Sequence, residues 1–187
     1  LVTGKPFEMI RIKDKAAALV VQWYAGEEQG AAIADLLFGN ENFSGRLPVS
    51  FPKSTGALPC FYNHYPSDKG YYNRKGSAQK PGRDYVFSDP YALYHFGYGL
   101  SYSSFKYMGM KVDVADGQEA LSSEVVSADD TLKIKVTVMN TSDKAGKEVV
   151  QIYSADVASS HITPVKKLVA YRKVEILPGE EKTVELS

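Results

Sequence analysis

Glu27 and Glu28 are adjacent carboxylates set between an apolar run and a helical pattern. The gap between a strand end and a helix start is where open α/β sheets hold their ligands. Two readings stay open for the pair. Either both charges sit in the first helical turn and offset the macrodipole, or Glu28 supports the rim of a ligand site. Neighbouring residues on a helix point in different directions, so the two are not expected to act as a catalytic pair. Asp35 lies two helical turns beyond Glu28 and is expected to cap or bridge locally. Arg46 is expected to pair with a carboxylate rather than to hold a substrate. His64 and His161 have no Cys, Asp or His at ligand spacing, so no metal site is expected. Gly97-x-Gly99 opens no helix and lacks a third glycine, which leaves no dinucleotide fingerprint. No cofactor is implied. Tyr62 and Tyr65 complete the candidates, as rings whose tips could face a ligand.

The elements that must position these residues belong to an ordinary globular chain. Its 187 residues are 44% hydrophobic and 24% charged, enough for one sizeable core or two small ones. Lys plus Arg equals Asp plus Glu, at 22 each. That balance gives no electrostatic footprint for nucleic acid or an anionic membrane. No apolar run is long enough to span a bilayer. Cys60 is the single cysteine, so neither an internal disulfide nor a CxxC motif can form. The sequence opens Leu1-Val2-Thr3 without an initiator Met, and we expect it to be cut from a longer protein.

Residues 16–21, Ala-Ala-Ala-Leu-Val-Val, form an apolar run of strand length, as a parallel strand covered on both faces requires. Leu1-Val2 and residues 7–10 are read as remnants of preceding strands. After a turn at Gly26, Ile33 and Leu37 lie four apart on one helical face with Ala34 and Phe38 beside them. Gly39 stands where a left-handed C-terminal cap is wanted. Strand, turn and helix make a βα unit too small to bury both faces of a sheet.

Residues 55–104 differ in character. Ten of the 13 Tyr fall between Tyr62 and Tyr107, mixed with Pro, Gly, Asn and Ser. No periodicity persists, so a long ordered loop is expected. Its rings either seal an interface, with Phe96, Tyr98, Leu100, Tyr102 and Phe105 packed at the junction, or line a ligand cleft. Tyr62, Tyr65, Tyr71 and Tyr72 are expected to be the more exposed ones. From Phe105 the pattern turns to β. Ile134, Val136 and Val138 alternate onto one buried face, and residues 148–153, 168–176 and 184–186 give further strands. Pro178 and Gly179 mark a turn. Strands at this spacing without helices indicate a β-sandwich.

Three strings carry a family resemblance. Residues 23–54 read WYAGEEQGAAIADLLFGNENFSGRLPVSFPKS. This resembles the end of the α/β-sandwich domain of glycoside hydrolase family 3, with Ala25 and Phe43 at positions where the family usually has proline. Residues 96–105, FGYGLSYSSF, resemble the signature leading out of that domain, with His95 in place of a usual proline. Residues 138–153, VMNTSDKAGKEVVQIY, with Pro164-Val165-Lys166-Lys167-Leu168 and Leu177-Pro178-Gly179-Glu180, resemble the fibronectin type III-like domain that follows.

The resemblance implies an α/β remnant (residues 1–54), an aromatic connecting segment (55–104) and an immunoglobulin-like, fibronectin type III-like sandwich (105–187). With five or six strands in view against about seven in the complete fold, the sandwich is expected to lack its last strands and to offer an open edge through which a dimer could form. The parent is expected to be a retaining, exo-acting β-glucosidase, periplasmic or secreted, with β-xylosidase the nearest enzymatic alternative. A non-catalytic carbohydrate-binding or structural sandwich is the other class, and it leaves residues 1–54 unexplained. In the family the nucleophile is an Asp of an N-terminal barrel and the acid/base a Glu upstream of this region. The resemblance therefore assigns no catalytic residue to this chain, whose carbohydrate substrate would be met together with the barrel. Glu28, Tyr62 and Tyr65 remain as substrate-facing candidates.

Overall fold

The computed structural model describes residues 5–66, 79, 91–114 and 130–187. The described chain sorts into two compact units, each assembled from separated segments. The first comprises Leu1–Phe38, Arg46–Gly99 and Ser154–Lys167; the second comprises Gly39–Gly45, Leu100–Tyr153 and Leu168–Ser187.

The first unit begins with turns rather than a strand. The amides of Ile12 and Lys13 both donate to the Met9 carbonyl, and those of Lys15 and Ala16 to the Ile12 carbonyl. Residues 7–10 are therefore not a strand, and Leu1-Val2 lies outside the described residues. The apolar run 16–21 is also not in a strand. A strand exists only through its neighbour's ladder, and no described segment pairs with this one. Trp23 then takes a positive φ of 59°, a costly conformation for a bulky side chain. Its ring lies against buried Phe51, with centroids 6.0 Å apart. Gly26, at φ 84°, completes the turn.

Helix α1 spans Gln29–Phe38. Its first turn is locked from outside, since Gln22 Nε2 donates to the Gln29 carbonyl at 2.7 Å. Ile33, Ala34 and Leu36 are half-buried, whereas Leu37 is 57% and Phe38 85% exposed. The expected face through Ile33 and Leu37 is thus only half right. The inward stripe follows an i, i+3 spacing from Ile33 to Leu36, which turns Leu37 and Phe38 outward. Gly39 ends the helix at φ 80°, as the left-handed cap demands.

The segments around Leu47–Phe51 and Leu93–Tyr98 bind each other. The Phe51 amide donates to Tyr94 O (2.8 Å) and Leu93 N to Phe51 O (2.7 Å) in an antiparallel bridge. Leu47 N donates to Tyr98 O and Gly97 N to Leu47 O, both at 2.8 Å. Ser50 Oγ accepts from Phe96 N. The Leu-Pro-Val-Ser-Phe string and the Phe-Gly-Tyr-Gly string, 40-odd residues apart in sequence, are two sides of one hydrogen-bonded layer around buried Phe51 and Pro52.

The second unit is the sandwich. Strands β1 (Phe105–Val114), β2 (Leu132–Asn140) and β5 (Glu181–Leu186) form one antiparallel sheet in the order β1-β2-β5. Strands β3 (Gly146–Ser154) and β4 (Lys167–Ile176) form the other. Val136, Val138, Val150, Ile176, Val184 and Leu186 make the core, with Phe105, Ile134, Ile152, Ala170 and Val174 packed on it. The alternation Ile134, Val136, Val138 points into this core as expected. Side chains at every second position of β2 leave water together, and each contributes about 1.5–3 kcal/mol when fully buried.

Two asparagines hold the unit's ends. Asn140 is fully buried. Its Nδ2 donates to the carbonyls of Lys144 and Ile176, and its Oδ1 accepts from the amide and hydroxyl of Ser142. Since Asn140 ends β2 and Ile176 ends β4, one side chain joins the two sheets. Asn42 does the same for residues 39–45: Nδ2 donates to Ser103 Oγ and Ala145 O, and Oδ1 accepts from Ser101 Oγ and Tyr102 N. Lys144 Nζ donates to Gly39 O at 2.7 Å.

Candidate functional site

Glu27 and Glu28 precede α1 rather than occupying its first turn, which holds no acidic residue. The carbonyl of Glu28 accepts from the Ala32 amide at 3.0 Å, so Glu28 is the N-cap by backbone, not by side chain. Both carboxylates are exposed. Asp35 and Arg46 are half-buried and each makes an interaction.

The two candidate tyrosines lie on one short segment, residues 61–65. Tyr62 is half-buried, because its ring stacks on Phe96 with centroids 4.1 Å apart and planes 13° from parallel. This corrects the expectation that it is one of the freer rings. The partner sits 34 residues on in sequence, which no local pattern announces. Tyr65 is 61% exposed, and Phe61 beside it is 65% exposed. Between them, His64 Nδ1 bonds the Tyr65 carbonyl at 2.9 Å. Tyr71 and Tyr72 lie outside the described residues. Among the described residues no hydrogen bond or ring contact joins Glu28 to Tyr62 or Tyr65.

Residues 91–102 carry further rings. Tyr94 and Tyr98 stack with centroids 5.6 Å apart, and Lys53 Nζ lies 5.9 Å from the Tyr91 ring centre. Tyr98, Leu100 and Tyr102 are all exposed, with Leu100 at 72%. They do not form the buried row expected of them. Tyr102 is instead held edge-on by Phe43 at 5.4 Å, with Lys144 Nζ 5.1 Å above its face. Half-exposed rings with one face supported and a hydroxyl at the tip suit a ligand with both apolar and polar faces.

Around these rings the titratable groups are few. Burial lowers the His95 pKa below its ordinary 6.5, and the charges of Lys166 and Lys53 lower it further. The imidazole is therefore neutral at physiological pH. Burial raises the Cys60 pKa, which keeps the thiol protonated and a poor nucleophile. His64 is half-buried and His161 exposed. The grouping of His95, Lys53 and Lys166 was not legible in the sequence, because the three come from different segments. Among the described residues this arrangement presents no pair of facing carboxyl groups.

The chain thus comprises one unit with helix α1 and the hydrogen-bonded Leu-Pro-Val-Ser-Phe and Phe-Gly-Tyr-Gly segments, and a second unit that is a β-sandwich. Residues 1–102 match the glycosyl hydrolase family 3 C-terminal domain, and residues 148–187 the fibronectin type III-like domain. The chain belongs to glycosyl hydrolase family 3. It is 38% identical over 98% of its length to the periplasmic β-glucosidase of Salmonella typhimurium, covering 23% of that protein. It is 34% identical over 98% of its length to a β-xylosidase of Formosa agariphila, again covering 23%. The solved structure of a β-glucosidase from Erythrobacter marinus matches 99% of this chain and 22% of its own, at 35% identity and a TM-score of 0.82. The chain thus spans about a quarter of the length of these relatives.

Proposed function

We propose that the whole protein is a retaining, exo-acting β-glucosidase that releases terminal β-D-glucosyl residues, in the periplasm or outside the cell. The observation that carries this reading is the likeness to β-glucosidases along nearly the full chain. No helix among the described residues is long and apolar enough to cross a membrane, which is compatible with that location. A glycosidase of this type needs two carboxyl groups flanking the scissile bond, about 5–5.5 Å apart when it retains configuration. Glu27 and Glu28 are exposed neighbours ahead of α1 and do not suit that task. Our reading assigns the chemistry to residues outside this chain, and assigns Tyr62 and Tyr65, with Glu28, to the substrate-facing rim. The likeness to a β-xylosidase supports a second reading, in which the sugar is xylose.

Kinetics on aryl glycosides test both. The full-length protein should hydrolyse aryl β-D-glucosides with a higher kcat/KM than aryl β-D-xylosides, while the 187-residue chain alone should give no turnover above background. A preference for the xyloside would install the second reading. Turnover by the chain alone would return the chemistry to these residues.

A further inference from the structure

The connection between β3 and β4 belongs by sequence to the sandwich, yet Ser154–Lys167 sorts with the first unit. Its burial is confined to a short stretch. Residues 154–162 are exposed, Thr163, Pro164 and Val165 are half-buried, and Lys166 and Lys167 are exposed again. Within that stretch the Val165 amide donates to the carbonyl of His64 at 3.0 Å. Pro164 has no amide to give, so Val165 is the donor.

The acceptor lies at an informative place. The His64 carbonyl is part of the peptide that leads into Tyr65, and the His64 ring bonds the Tyr65 carbonyl on the other side. The backbone of Tyr65 is therefore fixed before and after its Cα, while its ring stays largely exposed. Three residues away, Tyr62 is fixed by its stack on Phe96. Charge gives a second sign of proximity: Lys166 acts on His95, which immediately precedes Phe96.

We propose that Val165 is a positioning residue, through which the β3–β4 connection clamps the His64–Tyr65 peptide and sets the pose of the Tyr65 ring towards the glycoside. The proposal rests on the reading of Tyr65 as substrate-facing. Fixing a ring in its bound pose removes an ordering cost from binding; the clamp thus acts on substrate affinity and not on the bond-breaking step.

The test uses the full-length enzyme and whichever aryl β-glycoside it turns over. Val165→Pro removes the donor, and Val165→Ala keeps it. Val165→Pro should raise KM about two- to tenfold, the weight of one hydrogen bond, with kcat changed less than about twofold. Val165→Ala should leave both within about twofold. Tyr65→Ala should raise KM at least as much as Val165→Pro. If Tyr65→Ala raises KM and Val165→Pro does not, the clamp is refuted while the reading of Tyr65 stands. If Tyr65→Ala leaves KM unchanged, the substrate-facing reading fails and the proposal falls with it. Should Val165→Pro not fold, amide exchange of the unaltered enzyme decides. Peptides covering residues 163–167 should exchange about tenfold slower than those covering 155–162; equal rates would overturn the clamp.

Discussion

Asn140 shows how much one side chain can carry in a sandwich. Its amide group uses both hydrogens and both lone-pair directions of the oxygen, all inside the protein. Its backbone is engaged as well, donating to Glu180 O and accepting from Gly179 N. Removing the side chain strands the buried Ile176 carbonyl, at about 1–3 kcal/mol for an unsatisfied group, and takes the acceptor from the Ser142 amide, while the Lys144 carbonyl keeps the hydroxyls of Ser103 and Ser142. We expect Asn140→Ala to lower stability by about 2–4 kcal/mol, read in urea as a lower midpoint with an unchanged slope. A loss below about 0.5 kcal/mol would mean that water replaces the bonds. Asn140 is the last residue of β2. Its role as the link between sheets was illegible, because Ile176 is 36 residues away and an asparagine before Thr-Ser-Asp looks like any polar turn.

Elements were legible to the degree that their own residues decide them. The β2 alternation predicted its buried face because period two is a property of the strand itself. The cap at Gly39 was legible for the same reason, and its φ of 80° makes a substitution prediction concrete. A Cβ there would also meet Lys144 Nζ at 3.4 Å, the same nitrogen that bonds the Gly39 carbonyl. Gly39→Val forces a β-branched residue into the left-handed region, at about 1–2 kcal/mol. We expect thermal unfolding to shift down by several degrees, with Gly39→Asn, a residue that tolerates this conformation, losing less. Equal losses would remove the conformational argument. The run 16–21 misled for the opposite reason. Its composition suits a strand, but no neighbour among the described residues completes a ladder. The exposed pair Leu37 and Phe38 misled likewise: the spacing allowed two inward stripes, and packing chose between them.

At the scale of the molecule, the two units divide the chain in a way that no linear boundary describes. The sandwich unit contains Gly39–Gly45 and Leu100–Tyr153, and the first unit contains Ser154–Lys167. Composition shifts mark where one kind of pattern stops, not which segments share a core. That is why an exit from the helix, Gly-Asn-Glu-Asn-Phe-Ser-Gly, gave no sign of serving the sandwich. Yet Asn42 makes four hydrogen bonds there, to Ser101, Tyr102, Ser103 and Ala145, and Phe43 packs on Tyr102. A polypeptide of residues 105–187 alone would keep β1 to β5, the strands among the described residues, and the core of Val136, Val138 and Ile176. It would lose every one of those contacts and leave the Ala145 carbonyl without its Asn42 donor. Each neutral hydrogen bond contributes about 0.5–1.5 kcal/mol, comparable with the margin of a small domain. We expect amides of β2 and β5 to exchange at least about tenfold faster in the isolated 105–187 polypeptide than in the whole chain. A polypeptide of residues 39–187 should restore much of the protection, because it returns the Asn42 segment to its partners. Equal exchange in all three would show that the sandwich stands on its hydrophobic core alone, and that the Asn42 segment merely rests on it.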